Sequence, residues 1–303
     1  MAEDYEALLP PWLQGSWRGA GAKGRRILFK WEQQTEEKGQ WQVTVKGEAK
    51  DTKATMKTPK WMEHYDLQGR TGVALMAEVS EDEGGTHIDA TTSEAYVIPR
   101  VKEGKRWGEA FSGIGGWNVA ARMLGYNVKM AVDSDPVAVQ AYAKTWRVQP
   151  MTVEELWNKA RSGHLPDAAV VEADILDLRI WAVAGLMEVN LWTASPPCQP
   201  WSTSGRTKGL ATEDGMVLAS FLGNAAISGV EQVLMENVPG LLKHPHAVLI
   251  RNFARFVGMP LITSDVYSVD AVLPLDRNRW LGIFQNAKRM PTHKSVQVAK
   301  LIQ

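Results

Sequence analysis

The chain has 303 residues, 45% of them apolar and 22% charged, with 34 Lys and Arg balanced by 34 Asp and Glu. Those totals exclude a disordered or collagen-like chain, leave no apolar run near the roughly 18 residues that a bilayer span needs, and supply no overall charge to draw the protein to nucleic acid. The opening MAEDYEALLP is acidic where a secretion signal is basic, so the chain is expected inside the cell, nuclear in a eukaryote and cytoplasmic otherwise.

In chain order, the first third reads as a small β-rich unit. Apolar residues alternate at Trp41, Val43 and Val45 and again at Val73, Leu75, Ala77 and Val79, the period of half-buried strands. Charge is uneven here: residues 18–70 hold twelve Lys and Arg against seven Asp and Glu, while residues 78–94 hold six acids and no Lys or Arg. Trp12, Trp17, Trp31, Trp41 and Trp61 are interleaved with Arg18, Lys23, Arg25, Arg26 and Lys30. Such aromatics fill the core of a small β domain, or stack on single-stranded nucleic acid beside the bases. Residues 98–106 read as a linker, which places a β-rich accessory domain over 1–105 and a second domain over 106–303.

From Trp107 the pattern becomes strand, turn, helix, repeated. Residues 109–111 lead into the glycine turn Ser112-Gly113-Ile114-Gly115-Gly116, and Trp117 to Leu124 reads as a helix. Val128 to Val132 is a strand ending on Asp133, and Pro136 to Trp146 is a helix with proline in its first turn. Strands follow at 169–172, 191–194 and 232–235, the second running into Pro196-Pro197-Cys198-Gln199 and the third into Glu236-Asn237-Val238. This alternation predicts an α/β fold, a doubly wound and mostly parallel sheet whose sites collect at the carboxyl ends of its strands.

Three features at those ends carry chemistry. The turn at Gly113, Gly115 and Gly116 lets backbone approach a ligand, and Asp133 at the end of the next strand is placed to accept from ribose hydroxyls. A nucleoside-containing cofactor fits both, and the pair does not separate a nicotinamide cofactor from S-adenosylmethionine. Cys198, the single cysteine, excludes an internal disulfide and a multi-cysteine zinc site, leaving a buried apolar thiol or a nucleophile. Glu236 falls at the same sheet edge, and a thiol beside an acid suggests covalent attack on an electron-poor ring with the acid assisting at a ring nitrogen. His244 and His246 flank Pro245 with no acid converging on them, so they read as solvated turn residues rather than metal ligands, and no metal site is expected.

The segments 111–116, 133–135, 173–175, 196–202, 236–242 and 274–279 resemble, in order, motifs I, II, III, IV, VI and VIII of the cytosine-5 DNA methyltransferases. The resemblance covers residues 106–286 and implies a Rossmann-like fold that binds S-adenosylmethionine. It implies that Phe111 and the glycine turn face the cofactor's methionine and adenine side, that Asp133 holds the ribose with Ser134 beside the adenine, and that Asp174 accepts from the adenine amino group. Ile175 and Pro197 count with them. On the same footing Cys198 attacks C6 of a flipped-out cytosine, Glu236 acts at N3, and Arg277 and Arg279 offset charge near the ring carbonyl. Gln199, Ser202, Ser204, Arg206 and Asn237 belong to the segments that meet the substrate, with residues 201–215 as a covering loop.

The chain departs from the pattern in three places. Leu275 stands where the family usually has glutamine, and Met216 where an arginine commonly follows the catalytic loop. The target-recognition region and last two motifs have no counterpart up to Gln303, so a partner protein is expected to supply recognition of the DNA. An RNA substrate stays open, as does a catalytically weak binding protein on the same scaffold. A dinucleotide-dependent oxidoreductase would leave Cys198 and Glu236 without a joint task. If the N-terminal basic surplus meets nucleic acid, neutralising Arg25 and Arg26 flattens the salt dependence of binding. An unchanged slope assigns that region to structural or protein-binding work.

Overall fold

The computed structural model describes residues 17–18, 25–28, 40–45, 52–57, 60–65, 71–82, 85–99, 106–202, 208–268 and 277–287. The N-terminal strands are β1 (Trp17–Arg18), β2 (Arg25–Leu28), β3 (Gln40–Val45), β4 (Thr52–Lys57), β5 (Thr71–Asp82) and β6 (Gly85–Pro99). They form an antiparallel sheet in the order β1-β2-β5-β6 and a separate β3-β4 pair. Both stretches of alternating apolar residues are strands, β3 and β5.

The second part is strand and helix in alternation: β7 (Trp107–Ala110), α1 (Gly116–Met123), β8 (Val128–Asp133), α2 (Pro136–Trp146), β9 (Pro150–Thr152), α3 (Val153–Arg161), β10 (Ala169–Glu172), α4 (Leu178–Leu186) and β11 (Leu191–Ala194). There follow α5 (Glu213–Ile227), β12 (Gln232–Asn237), α6 (Gly240–Lys243), α7 (Ala247–Phe256), β13 (Leu261–Ser268) and β14 (Asn278–Gln285). They build one eight-stranded sheet in the order β13-β14-β12-β11-β7-β8-β10-β9. Neighbours from β12 to β9 run parallel, and β14 is antiparallel to both β12 and β13. The expected doubly wound, mostly parallel sheet is therefore present.

Helix starts follow from local chemistry. Asp135 caps α2 by accepting from the Val137 N–H at 2.9 Å ahead of a first-turn proline. Thr152 and Glu155 close a capping box on α3, Asp177 caps α4 through the Arg179 N–H, and Thr212 caps α5 through the Gly215 N–H. Three elements escape the sequence pattern. β9 is only three residues long, β13 is largely exposed, Ile262 and Val266 included, and β14 begins at Asn278 within the 274–279 segment. An edge strand with little to bury has no period for the sequence to display.

The core gathers under the strands' central register. Trp181, Trp192 and Phe221 are fully buried, with ring centroids 5.1 to 6.3 Å apart. Phe221 then meets Phe111 at 6.0 Å, so the core reaches directly into the glycine turn. Seven of the nine residues of α4 are buried, including Leu178, Ile180, Trp181 and Val183, and a helix apolar on every side needs cover on every side. The N-terminal sheet provides it: β6 lies against α4, while β1 and β5 lie against α5. The short helical turn Lys60–His64 adds a second attachment, with Met62 buried, Trp61 edge-on to Trp157 at 5.2 Å, and the Tyr65 hydroxyl donating to the Ala160 carbonyl at 2.7 Å. Trp61 thus packs on α3, while the side chains of Trp12, Trp17, Trp31 and Trp41 lie outside the described residues.

Trp181 both fills this core and donates to the Ile175 carbonyl at 2.6 Å. Trp181→Ala should cost about 3–5 kcal/mol by urea unfolding, the range for deleting a buried aromatic. A loss below 1 kcal/mol would mean that the aromatic cluster does not bear on stability as described.

Candidate active site

β7 lies between β11 and β8. The chain moves outward from β7 through β8, β10 and β9, then returns to β11 on the other side, so the sheet's topological switch falls between β7 and β11. A crevice opens there outside the carboxyl ends of the strands. The Phe111 turn follows β7, Asp133 ends β8, Asp174 follows β10, Cys198 follows β11 and Glu236 lies near the end of β12.

The glycine turn is held from two sides. Asp133 accepts from the Gly113 N–H at 2.7 Å through one oxygen and from the Asp135 N–H at 2.9 Å through the other. Each oxygen keeps a further lone pair for a ligand hydroxyl. Gly115 has φ +93, and a Cβ there would come within 2.0 Å of the Trp146 Nε1, which donates to the Ile114 carbonyl at 3.0 Å. Only glycine fits that position. On its open side the turn is unfilled: a Cβ on Gly113 or Gly116 would meet nothing within 4 Å, and the buried Ser112 hydroxyl has no hydrogen-bond partner.

Under the turn sits a residue the sequence reading passed over. Glu109 is fully buried in the central strand. It accepts from the Trp117 N–H at 3.0 Å and from the Tyr142 hydroxyl at 3.0 Å, and Tyr142 in turn accepts from the Asn118 amide at 2.6 Å. Desolvation pushes its carboxyl pKa up to about 7, against the opposing pull of Tyr142 and the α1 backbone amides. Burial, and then the Glu109 charge, raise the Tyr142 phenol as well. The signal was available: an acid inside a four-residue strand that is otherwise apolar.

Glu109 also changes the reading of α1. The first-turn N–H of Trp117 is already engaged by Glu109, whose ionised form would repel a pyrophosphate lying on the turn. A ligand carrying positive charge meets no such penalty. The residues therefore fit S-adenosylmethionine, whose sulfonium and ammonium are cationic.

Ser134 is exposed beside Asp133. Asp174 accepts from the Leu176 N–H at 2.9 Å; although its rim is exposed, the surrounding protein desolvates the carboxyl and raises its pKa, with nearby Asp177 adding to the rise. Ile175 is buried in the core, and its carbonyl accepts from the Trp181 indole.

On the other side of the switch, Cys198 and Pro197 are half-buried and Gln199 is exposed. The Cys198 carbonyl accepts from the N–H groups of Trp201 and Ser202, both at 3.0 Å, closing a tight turn. β11 and β12 are in parallel register with Ala194 opposite Met235, which sets Glu236 beside the start of the cysteine loop. Asn237 ties the two together by donating from its amide to the Pro196 carbonyl at 3.1 Å. Arg279 meets Glu236 at 2.6 Å, Nε to Oε1, from two residues along β14 past Leu281, which pairs directly with Glu236. Arg277 is exposed, and no contact joins it to Glu236 among the described residues. Ser204, Arg206 and Leu275 lie outside the described residues. Among the described residues, no group of His, Cys, Asp and Glu could hold a metal ion.

The two histidines are not solvated turn residues. Both are half-buried, their rings 4.8 Å apart, with His244 edge-on to Trp201 at 5.3 Å and His246 accepting from the Leu210 N–H at 3.0 Å. The proline between them suggested a turn, and the distant partners that bury them have no signature in the local sequence.

With this geometry established, comparison places the chain among known proteins. Residues 106–259 match the family described as C-5 cytosine-specific DNA methylase. Over 137 residues the chain is 26% identical to the type II methyltransferase M.AquIA of Picosynechococcus, covering 44% of this chain and 48% of that protein. It is 25% identical over 179 residues to the tRNA (cytosine(38)-C(5))-methyltransferase of Schizosaccharomyces pombe, covering 58% of this chain and 48% of that one. The crystal structure of S. pombe Dnmt2 methyltransferase superposes with a TM-score of 0.45 at 23% identity, over 67% of this chain and 54% of that chain. The chain thus spans about half the length of the relatives it matches.

Glu109 gives the site a pH signature. Because its folded pKa lies near 7 and its ordinary value is 4.5, the folded state binds the extra proton between those limits, and stability falls as pH rises from 4.5 to about 7. The loss should reach at most about 3 kcal/mol. Urea unfolding at pH 5 and pH 8 should reveal it in the wild type, with a flatter profile in Glu109→Gln; equal slopes in the two proteins would refute the assignment.

Proposed function

Because the chain belongs to the C-5 cytosine-specific DNA methylase family, we propose that it transfers a methyl group from S-adenosylmethionine to C5 of a cytosine flipped out of DNA, through a covalent bond from Cys198 to C6. The observation that supports this reading is the pairing of Cys198 and Glu236 at the ends of adjacent parallel strands, fastened by the Asn237 amide on the Pro196 carbonyl.

Phe111, Gly113, Gly115, Gly116, Asp133, Ser134, Asp174, Ile175 and Pro197 would hold the cofactor. When bound, S-adenosylmethionine supplies a methyl group on a positively charged sulfur. Glu109 compensates positive charge from beneath the turn, and Asp133 offers its remaining lone pairs to ribose hydroxyls.

Cys198, as thiolate, adds to C6 of the ring. Glu236 hydrogen-bonds N3 and lends it a proton, so that electron density pushed out of the C5–C6 double bond accumulates at C5 rather than as an unshielded negative charge. C5 takes the methyl group, its proton leaves to a solvent base, and the C6–sulfur bond breaks to return the thiolate. Arg279 holds one oxygen of Glu236, which leaves the other to face the base. Flipping the cytosine costs a few kcal/mol of unstacking, recovered by contacts to the extruded base.

An oligonucleotide carrying 5-fluorocytosine tests nucleophile, cofactor and base together, because fluorine cannot leave as the proton does. Duplex DNA should yield an adduct that survives denaturation, needs S-adenosylmethionine and is lost in Cys198→Ala. Glu236→Gln should slow its formation by about 10²–10⁴-fold. An adduct with tRNA alone would move the substrate to RNA, and none with either would sink the reading.

A further inference from the structure

The segment bearing Cys198 is gripped at its far end by the histidine pair. Gly209 returns to the cysteine turn by donating its N–H to the Pro200 carbonyl at 3.1 Å. Gly209 has φ +54, and a Cβ there would lie 2.3 Å from His244 Cε1 and 2.6 Å from His246 Nδ1, so the two rings rest on its bare Cα. The next residue, Leu210, donates its N–H to His246 Nδ1 at 3.0 Å. The His246 N–H donates to His244 Nδ1 at 3.1 Å, and His244 stands edge-on to the buried Trp201 ring. Trp201 is itself part of the turn closed on the Cys198 carbonyl.

His246 occupies the N-cap position of α7 but does not cap it; no side-chain hydrogen bond serves that helix. Its acceptor goes instead to another segment's backbone. Both Nδ1 atoms face a backbone N–H, so both must carry lone pairs, and both rings must be neutral at that nitrogen.

We propose that His246, supported by His244, is a positioning residue that latches Gly209 and Leu210 and, through the Gly209 bond to the Pro200 carbonyl, fixes the Cys198 turn. The inference rests on the reading of Cys198 as nucleophile, but the latch itself is a statement about where the thiol is held. Its working form is neutral imidazole. Burial and the neighbouring His244 lower the His246 pKa, and the positive end of α7 disfavours a cation there too. Since the folded pKa lies below the ordinary 6.5, the latch is intact above that pH and is lost as pH falls through the lowered value. His244 is the titratable group acting on it; Lys208, Lys243 and Asp214 on the flanking elements are exposed.

The test needs no methyl transfer. Cys198 is the single cysteine, so its alkylation by iodoacetamide gives one mass shift, and amide hydrogen exchange follows Trp201, Ser202 and Leu210. His246→Leu, which cannot accept, should change the alkylation rate about fivefold, the equivalent of one hydrogen bond, and speed exchange at Trp201 and Ser202 as well as Leu210. His246→Asn, whose side-chain oxygen can reach the Leu210 N–H, should restore both, and should remove the loosening that the wild type acquires as pH drops below 6.5. Exchange in β8 and β10 monitors folding. If loosening stays confined to Leu210, or if Leu and Asn behave alike with the fold intact, the latch is overturned. A failed trapping experiment with a normal latch would count against the proposed reaction and not against this inference.

Discussion

The buried Glu109 carboxylate is the interaction around which the cofactor side of the molecule is arranged. A charge in the central strand of a parallel sheet is costly unless each oxygen is engaged, and here one takes the first-turn backbone of α1 and the other the Tyr142 hydroxyl of α2. Those two bonds fix where α1 begins and tie α2, which lies against β8 and β10, to β7. Trp146 follows one turn after Tyr142 on α2, and its indole fastens the glycine turn by the Ile114 carbonyl. The same carboxyl group that sets the turn's shape adds negative charge beneath it when ionised.

The substrate side depends on registry rather than on charge. Parallel pairing of β11 with β12 would bring Pro196 near Asn237 in any sequence, but the amide-to-carbonyl bond converts proximity into a fixed relation between the thiol loop and the acid. Arg279 enters from the opposite neighbour of β12, on the antiparallel strand β14. Glu236 is thereby oriented by a strand whose direction differs from the rest of the sheet. Reversing β14 would carry Arg279 to the other end of the sheet, so the antiparallel edge has a chemical consequence as well as a topological one.

The central strands and the residues at their ends were legible because parallel strands buried on both faces produce short apolar runs, and because glycine, proline, cysteine and acid residues punctuate them at the carboxyl edge. Val128 to Asp133 and Pro136 to Trp146 are found where the sequence puts them. What stayed hidden had partners far away in sequence. Glu109 reads as one more strand residue until Tyr142 is seen beside it, and His246 reads as a turn residue until Leu210, thirty-six positions earlier, is seen to donate to it. Ile175, adjacent to Asp174, shares the motif and is also a core residue whose carbonyl holds the Trp181 indole.

Cys198 is thus bracketed. Ahead of it the Pro196 carbonyl is held by Asn237, and behind it the chain is held through Pro200, Gly209 and the histidine pair. Both holds are made by one stretch of chain, the first by Asn237 at the end of β12 and the second by His244 and His246, seven and nine residues on. A nucleophile must reach the ring carbon along a narrow range of directions, and effective molarity falls steeply when the attacking atom wanders. Two tethers on either side restrict that wandering before any substrate arrives, and placing both on one segment means that acid and thiol move together if they move at all. The separation of acid and thiol is then set by the β11–β12 pair together with the two holds on the loop.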